Sequence, residues 1–197
     1  MRTFRMLFVL ILSISAAFFP CQPTAAGAPS LITVGAFTVS NFDDSGQGAA
    51  AVRTALVYLD RSATARRLIG SLENAHIFIM IETGYGDHYL PSSNSVLWNP
   101  YAGLYTTDAH VQTAALELLH ELVHARHAAR NPAAMERNHD IPAGVFTNRE
   151  EYLTIVYGEN PVARELGEPQ RFNHYGVAFV HTATPTDRDG DLVADSE

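Results

Sequence analysis

The stretch from Asp108 to Arg130 constrains this chain more than any other, because it reads as one long helix with polar residues where an apolar helix least accommodates them. Val111, Ala115, Leu118, Leu119, Leu122 and Val123 recur at helical spacing, Asp108 is placed to cap the start, and Asn131 with Pro132 forms the stop. A stripe of that kind has to be buried against a sheet or other helices. In the middle of it stand His120, Glu121 and His124. Imidazoles and a carboxylate in an apolar setting cost free energy unless something compensates them.

A metal ion is the compensation that this spacing suits. Residues four apart on a helix lie one above the other on one face, about 6 Å apart along the axis, so His120 and His124 can pinch a single ion. Glu121 beside them completes the HExxH pattern, in which two imidazoles hold zinc and the glutamate is general base on water. A catalytic zinc takes three protein ligands and keeps one position open. His127 lies a further turn along the axis and is not placed to close the tetrahedron. The histidine that a metzincin carries six residues after the second ligand is replaced by Arg130, with no glycine between. The third ligand therefore lies among Asp140, Glu150 and Glu151, with His139 as an outsider.

The rest of the chain supplies a scaffold of mixed type. Gln47 to Leu59 and Ser62 to Leu72 carry apolar residues at helical spacing, with Ser62 as a cap. His76 to Ile81 and Ser95 to Trp98 are short strand-forming runs, and Ala28 to Phe42 holds one further strand. After a polar loop from Pro132 to Pro142, a helix begins at Thr147, with Glu150 placed as in a capping box, and ends near Gly158. Asn160 to Leu166 gives one more short helix, and Tyr175 to His181 a last strand. The expected fold is α+β, a small mixed sheet packed on the long helix.

Composition narrows the class of partner. The chain has 197 residues, a formal charge of −8 and 13 basic residues, all of them arginine, so nucleic acid is excluded as a natural partner. Residues 1–26 have the form of a signal peptide: Arg2 and Arg5, an apolar run from Met6 to Phe19, then Thr24, Ala25 and Ala26. The expectation is a secreted or periplasmic protein, monomeric, without a membrane span once the signal is removed. Its single cysteine, Cys21, falls inside that segment, so no disulfide is expected in the remainder.

The segment His120-Glu121-Leu122-Val123-His124-Ala125-Arg126-His127 resembles the corresponding segment of clostridial neurotoxin light chains and of NleD-like bacterial effector metallopeptidases. Glu150-Glu151-Tyr152-Leu153-Thr154 is similar to the EE-x-x-T segment of the same families, where the second glutamate is the third zinc ligand. Thr147-Asn148 followed by Glu151-Tyr152 also resembles the matching helix of anthrax lethal factor. Asn160 to Gly167 and Arg171 to Tyr175 are similar to the helix and the arginine-to-tyrosine segment that follow in the effector family, although the neurotoxins space that pair three apart and here it is four. The resemblance covers roughly Gln47 to Tyr175 and implies a zincin-like fold, in a domain expected to run over residues 27–184, with His120, His124 and Glu151 as zinc ligands and Glu121 as general base. It also implies Arg171 and Tyr175 as oxyanion donors, Glu150 as a cap or a support to the ligands, and a protein or peptide substrate. Such a substrate is expected to lie along the strand ending at Trp98, and delivery to a host cell fits the same families.

Residues 185–197 are expected to form an acidic tail outside the domain. Asp187, Asp189, Asp191 and Asp195 follow an order resembling a thrombospondin type 3 calcium repeat, which suits a hard cation. A different class of function is then a non-catalytic secreted module with structural zinc and calcium. Such a site needs a fourth protein ligand, for which His127 and Asp140 are the candidates.

Overall fold

The computed structural model describes residues 31–40, 46–84 and 86–190. The signal segment, Asp191 and Asp195 lie outside the described residues. Two sheets and a set of helices make an α+β architecture, as the periodicities require.

Leu31–Val34 (β1) and Phe37–Ser40 (β2) form a hairpin where only one strand was expected. Phe78–Ile81 (β3) joins β2 in parallel, and Ser95–Trp98 (β5) joins β3 in parallel. His88–Leu90 (β4) closes the sheet antiparallel to β5, giving the order β1-β2-β3-β5-β4. The strand ending at Trp98 is therefore an inner strand, and the free edge expected of it belongs to β4. A second, antiparallel sheet holds Ala102–Tyr105 (β6) between Val111–Gln112 (β7) and Ala178–His181 (β8).

Helices α1 (Gln47–Leu59) and α2 (Ala63–Gly70) occur where the spacing placed them, and Ser62 caps α2 by accepting from the Ala65 amide. The long helix α3 runs from Ala114 to Arg130 and starts later than Asp108. Val111 and Gln112 are pulled into pairing with β6, so the capping oxygen is that of Thr113, which accepts from the Leu116 amide. Leu116, Leu118, Leu119, Leu122 and Val123 have no solvent exposure and pack with Val52, Ala55, Leu59, Ile79 and Val96. Trp98 pins the main sheet to this helix by donating its indole N–H to the Ala114 carbonyl at 2.8 Å.

Asn131 ends α3 and at once caps another helix, α4 (Pro132–His139), by accepting from the Ala134 amide at 3.0 Å. That segment was expected to be a loop; a proline at the first helical position has no N–H to lose there. Asn148, not Thr147, caps the next helix, and Thr147 takes a left-handed φ of 67°. Arg149–Leu153 (α5), a π-helical turn over Thr154–Glu159 and Asn160–Leu166 (α6) follow without a break, so the expected stop near Gly158 is absent. Gly158 stays helical for a packing reason. A Cβ there would stand 2.7 Å from a methyl of Val123, so the absence of a side chain lets the π turn lie directly against α3.

The chain after Thr184 is not a separate tail as far as residue 190. The Pro185 carbonyl accepts from the Ala115 amide at 2.8 Å, and Asp187 is fully buried. Arg188 lies over the Tyr58 ring and donates to the Tyr58 hydroxyl and to the Leu166 carbonyl. Among the described residues no helix is long and apolar enough to cross a membrane.

Candidate metal centre

Helix α3 presents His120 and His124 on one face, and the start of α5 brings Glu151 across to them. The two Nε2 atoms stand 3.1 Å apart, and Glu151 Oε2 lies 3.2 Å from the first and 3.3 Å from the second. All three residues are buried, at 3%, 5% and 7% exposure. Two donors bound to a tetrahedral zinc at about 2.0–2.1 Å stand about 3.3–3.4 Å from each other, so the triangle has the edge length such an ion imposes. No fourth histidine, cysteine, aspartate or glutamate joins the group among the described residues.

The orientation of each imidazole is fixed from behind. His120 Nδ1 lies 2.8 Å from Glu159 Oε2, and His124 Nδ1 lies 3.3 Å from both Glu150 Oε1 and Thr154 Oγ1. Arg171 Nη2 also comes within 2.7 Å of His120 Nδ1. A guanidinium cannot accept, and Glu159 is an ionised acceptor beside both, so the two groups donate side by side to its carboxylate. With Nδ1 of each ring turned to a carboxylate, each Nε2 lone pair faces the centre. Glu151 Oε2 has no conventional hydrogen-bond donor of its own and faces the same point. Acceptors converging without donors call for a positive charge.

The electrostatics agree. Burial pushes His120 down, and Arg171 adds to this, but Glu151, Glu159 and Glu121 outweigh both and raise it to about 10 in the metal-free protein. Burial pushes Glu159 up, yet Arg171 and His120 bring it down to about 2. Glu151 is likewise held well below the carboxylate range by the two histidines against its burial. The cluster thus holds a proton tightly when nothing stronger fills it.

The remaining expected residues fall as follows. Glu121 is buried on the wall of a cavity of about 310 Å³ beside the cluster, with its Oε1 4.0 Å from His120 Nε2. Tyr175 stands at the mouth of that cavity, 69% exposed. Arg171 is buried and committed: it forks onto Glu159, reaches Glu117 at 3.6 Å and donates to the His174 carbonyl at 3.1 Å. Glu150 supports His124 instead of capping, with Oε1 2.5 Å from His127 Nδ1 and Oε2 accepting from Asn138 at 3.2 Å. His127 turns to that carboxylate, and His139 and Asp140 are exposed at the end of α4. Asp187 turns its oxygens to the amides of Ala183 and Asp189, closing a turn of its own backbone.

Three residues at the site are not among those the sequence singled out. Glu159 sits eight residues past Glu151 on a continuous helix, in a place that looked like a helix end. Glu117 precedes His120 by three positions, the spacing that puts it on the ligand face, and that periodicity alone could have found it. His174 lies in an irregular segment; its Nε2 is 3.4 Å from Glu151 Oε2 and its ring stacks on His120 at 6.3 Å. Burial first, and then His120 and Arg171, depress it to about 4 despite the Glu151 carboxylate, so it is neutral at ordinary pH. Compared with protein-family models, with curated proteins and with solved structures, the chain finds no match.

Proposed function

We propose that the chain is a zinc-dependent metalloendopeptidase that hydrolyses peptide bonds of a protein substrate, built on a zincin-like fold. The observation that carries it is the convergence of His120 Nε2, His124 Nε2 and Glu151 Oε2 at tetrahedral edge distances, each imidazole oriented by a carboxylate. The cluster borders a cavity whose wall carries Glu121. The likeness of the α3 and α5 segments to neurotoxin light chains and NleD-like effectors supports the same assignment, and with it secretion and action on a host protein.

Zinc supplies, when bound, a Lewis acid that brings the pKa of water towards about 7 and polarises a carbonyl. The chain's own groups do the rest. Glu121 takes a proton from the attacking water and returns it to the departing amine nitrogen, so that one C–O bond forms as one C–N bond breaks. Tyr175 edges the cavity and would donate its hydroxyl to the developing oxyanion, an effect commonly worth about 3–4 kcal/mol per donor. Arg171, matched to Glu159, serves by holding the carboxylate that orients His120. A purely structural site would need a fourth protein ligand, and neither His127 nor Asp140 approaches the cluster.

The test is metal analysis of purified protein together with Glu121→Gln. One zinc per chain is expected in both proteins, with peptide cleavage only in the wild type. Protein never exposed to chelator that holds no zinc, or a Glu121→Gln variant that cleaves at the wild-type rate, overturns the proposal.

A further inference from the structure

The cavity beside the cluster holds two carboxyl groups that the chemistry above leaves unused, and burial pushes both up, Glu117 to about 7. Its wall includes Asp87, from the loop leading into β4, and Glu117, one turn before His120 on α3. Glu117 is 4% exposed; its Oε2 faces Arg171 at 3.6 Å, while its Oε1 is buried without any hydrogen-bond partner. Asp87 repeats the pattern. Its Oδ1 accepts from the Asn99 amide at 2.8 Å, and its Oδ2 is buried and unpartnered. A buried polar atom left without a partner is costly and rare in a folded protein. Here there are two besides Glu151 Oε2, on carboxyl groups of residues that line one cavity. The cationic side chain of the same wall, Arg171, is already matched by Glu159.

We propose that this cavity is the pocket for a positively charged group of the peptide substrate, an ammonium or guanidinium received by Glu117 and Asp87. The inference rests on the peptidase assignment for what the peptide is, and on the cavity alone for what the pocket prefers. The size and lining fit. About 310 Å³ lies at the small end of the range for ligand pockets, roughly 300–1,000 Å³. Leu104 and Phe179 line it beside the acids, giving apolar surface for the methylenes of a long basic side chain. An ammonium or guanidinium supplies donors alone, which suits acceptors that lack them. The same chemistry is offered by a lysine or arginine side chain and by a free amino terminus; the first makes an endopeptidase with a basic subsite, the second an aminopeptidase.

The experiment uses the zinc-loaded full chain and two small probes of one shape, n-butylguanidinium and neutral n-butylurea, with binding read by calorimetry. The cation should bind at least about tenfold tighter, and Glu117→Gln or Asp87→Asn should remove most of that preference while zinc stoichiometry stays at the wild-type value. Asp87→Asn keeps the acceptor for the Asn99 amide, so it remains informative if Glu117→Gln loses stability with its contact to Arg171. Equal binding of the two probes, as expected if the orphan oxygens are simply protonated, overturns the proposal. So does a preference untouched by both variants. Cleavage of peptides carrying lysine or norleucine, each with free or acetylated amino terminus, then identifies the source. A preference surviving acetylation assigns the side chain, and one abolished by it assigns the terminus. If zinc-loaded protein cleaves no peptide at all, the peptidase assignment falls, while the probe measurement still decides the pocket.

Discussion

Glu150 and Glu151 are neighbours with different duties, and replacing each by alanine separates them. Glu151 contributes the oxygen 3.2 and 3.3 Å from the two Nε2 atoms, so Glu151→Ala leaves two imidazoles and should weaken zinc binding by more than about 100-fold. Glu150 meets the cluster at the back of His124, at 3.3 Å, and the loss of such a support typically costs about 10 to 100-fold. At 1.4 kcal/mol per tenfold, that is about 1.4–2.7 kcal/mol of ligand-linked stability, or a melting temperature lower by about 3–11 °C for a domain of this size. The assay is zinc affinity by chelator competition, paired with melting curves with and without EDTA. The gap between wild type and Glu151→Ala should shrink once chelator has emptied both. Retention of tight zinc by Glu151→Ala, with loss in Glu150→Ala or Asp140→Ala, would refute the ligand assignment.

Arg171→Met should cost about 3–5 kcal/mol in urea unfolding of the metal-free protein, because Glu159 and Glu117 are left buried without their cation; a loss below about 1 kcal/mol would mean that the network is not what holds this region. Gly158→Ala drives a Cβ to 2.7 Å from Val123 and should destabilise by about 1–3 kcal/mol, with Val123→Ala in the same chain restoring most of it. If the double variant is no better than the single, the close approach of the two helices is not the cause. Zinc binding near neutral pH should release more than one proton, since His120 is protonated below about 10 in the metal-free protein, Glu150 and Glu151 hold His124 above its ordinary value against its burial, and both must be neutral to ligate. By the same shift, the stabilisation from charged His120 in metal-free protein is full below about 6.5 and is lost as pH rises through about 10. Calorimetry in buffers of different ionisation enthalpy measures the release, and identical heats in all buffers would count against it.

The parts of the site legible in the sequence are those that repeat a local period. Leu118, Leu119, Leu122 and Val123 announce α3 as a buried helix, and the four-residue step from His120 to His124 follows from that alone. Glu151 was singled out by likeness to other families, since helical phase shows only that it and Glu150 diverge. What stayed hidden depends on contacts distant in sequence. β4 and β6 are three and four residues long and exist because β5 and β8 pair with them. Val111 and Gln112 have helical phase with α3 but are claimed by β6, which moved the cap from Asp108 to Thr113. α4 escaped notice because Asn131 serves as a stop and a start at once. Arg171 was legible as a residue that matters, but its partner Glu159 was not, and the partner decides that its charge is spent behind His120.

The π turn between α5 and α6 has a bearing on how this site is encoded. On a regular helix, positions 151 and 159 differ by eight steps and face directions about 80° apart. A π turn absorbs about one residue without advancing the phase, so the two carboxylates come within about 20° of a common direction and both reach α3. The extra residue makes the separation between ligand and support a matter of local winding. A shorter chain, lacking one residue in that turn and wound as an ordinary helix, would offer the same two oxygens to the same two rings at a separation of seven. A search that fixes the interval in sequence would pass over one of these two chains, whereas one that asks which carboxylates share a direction would find both.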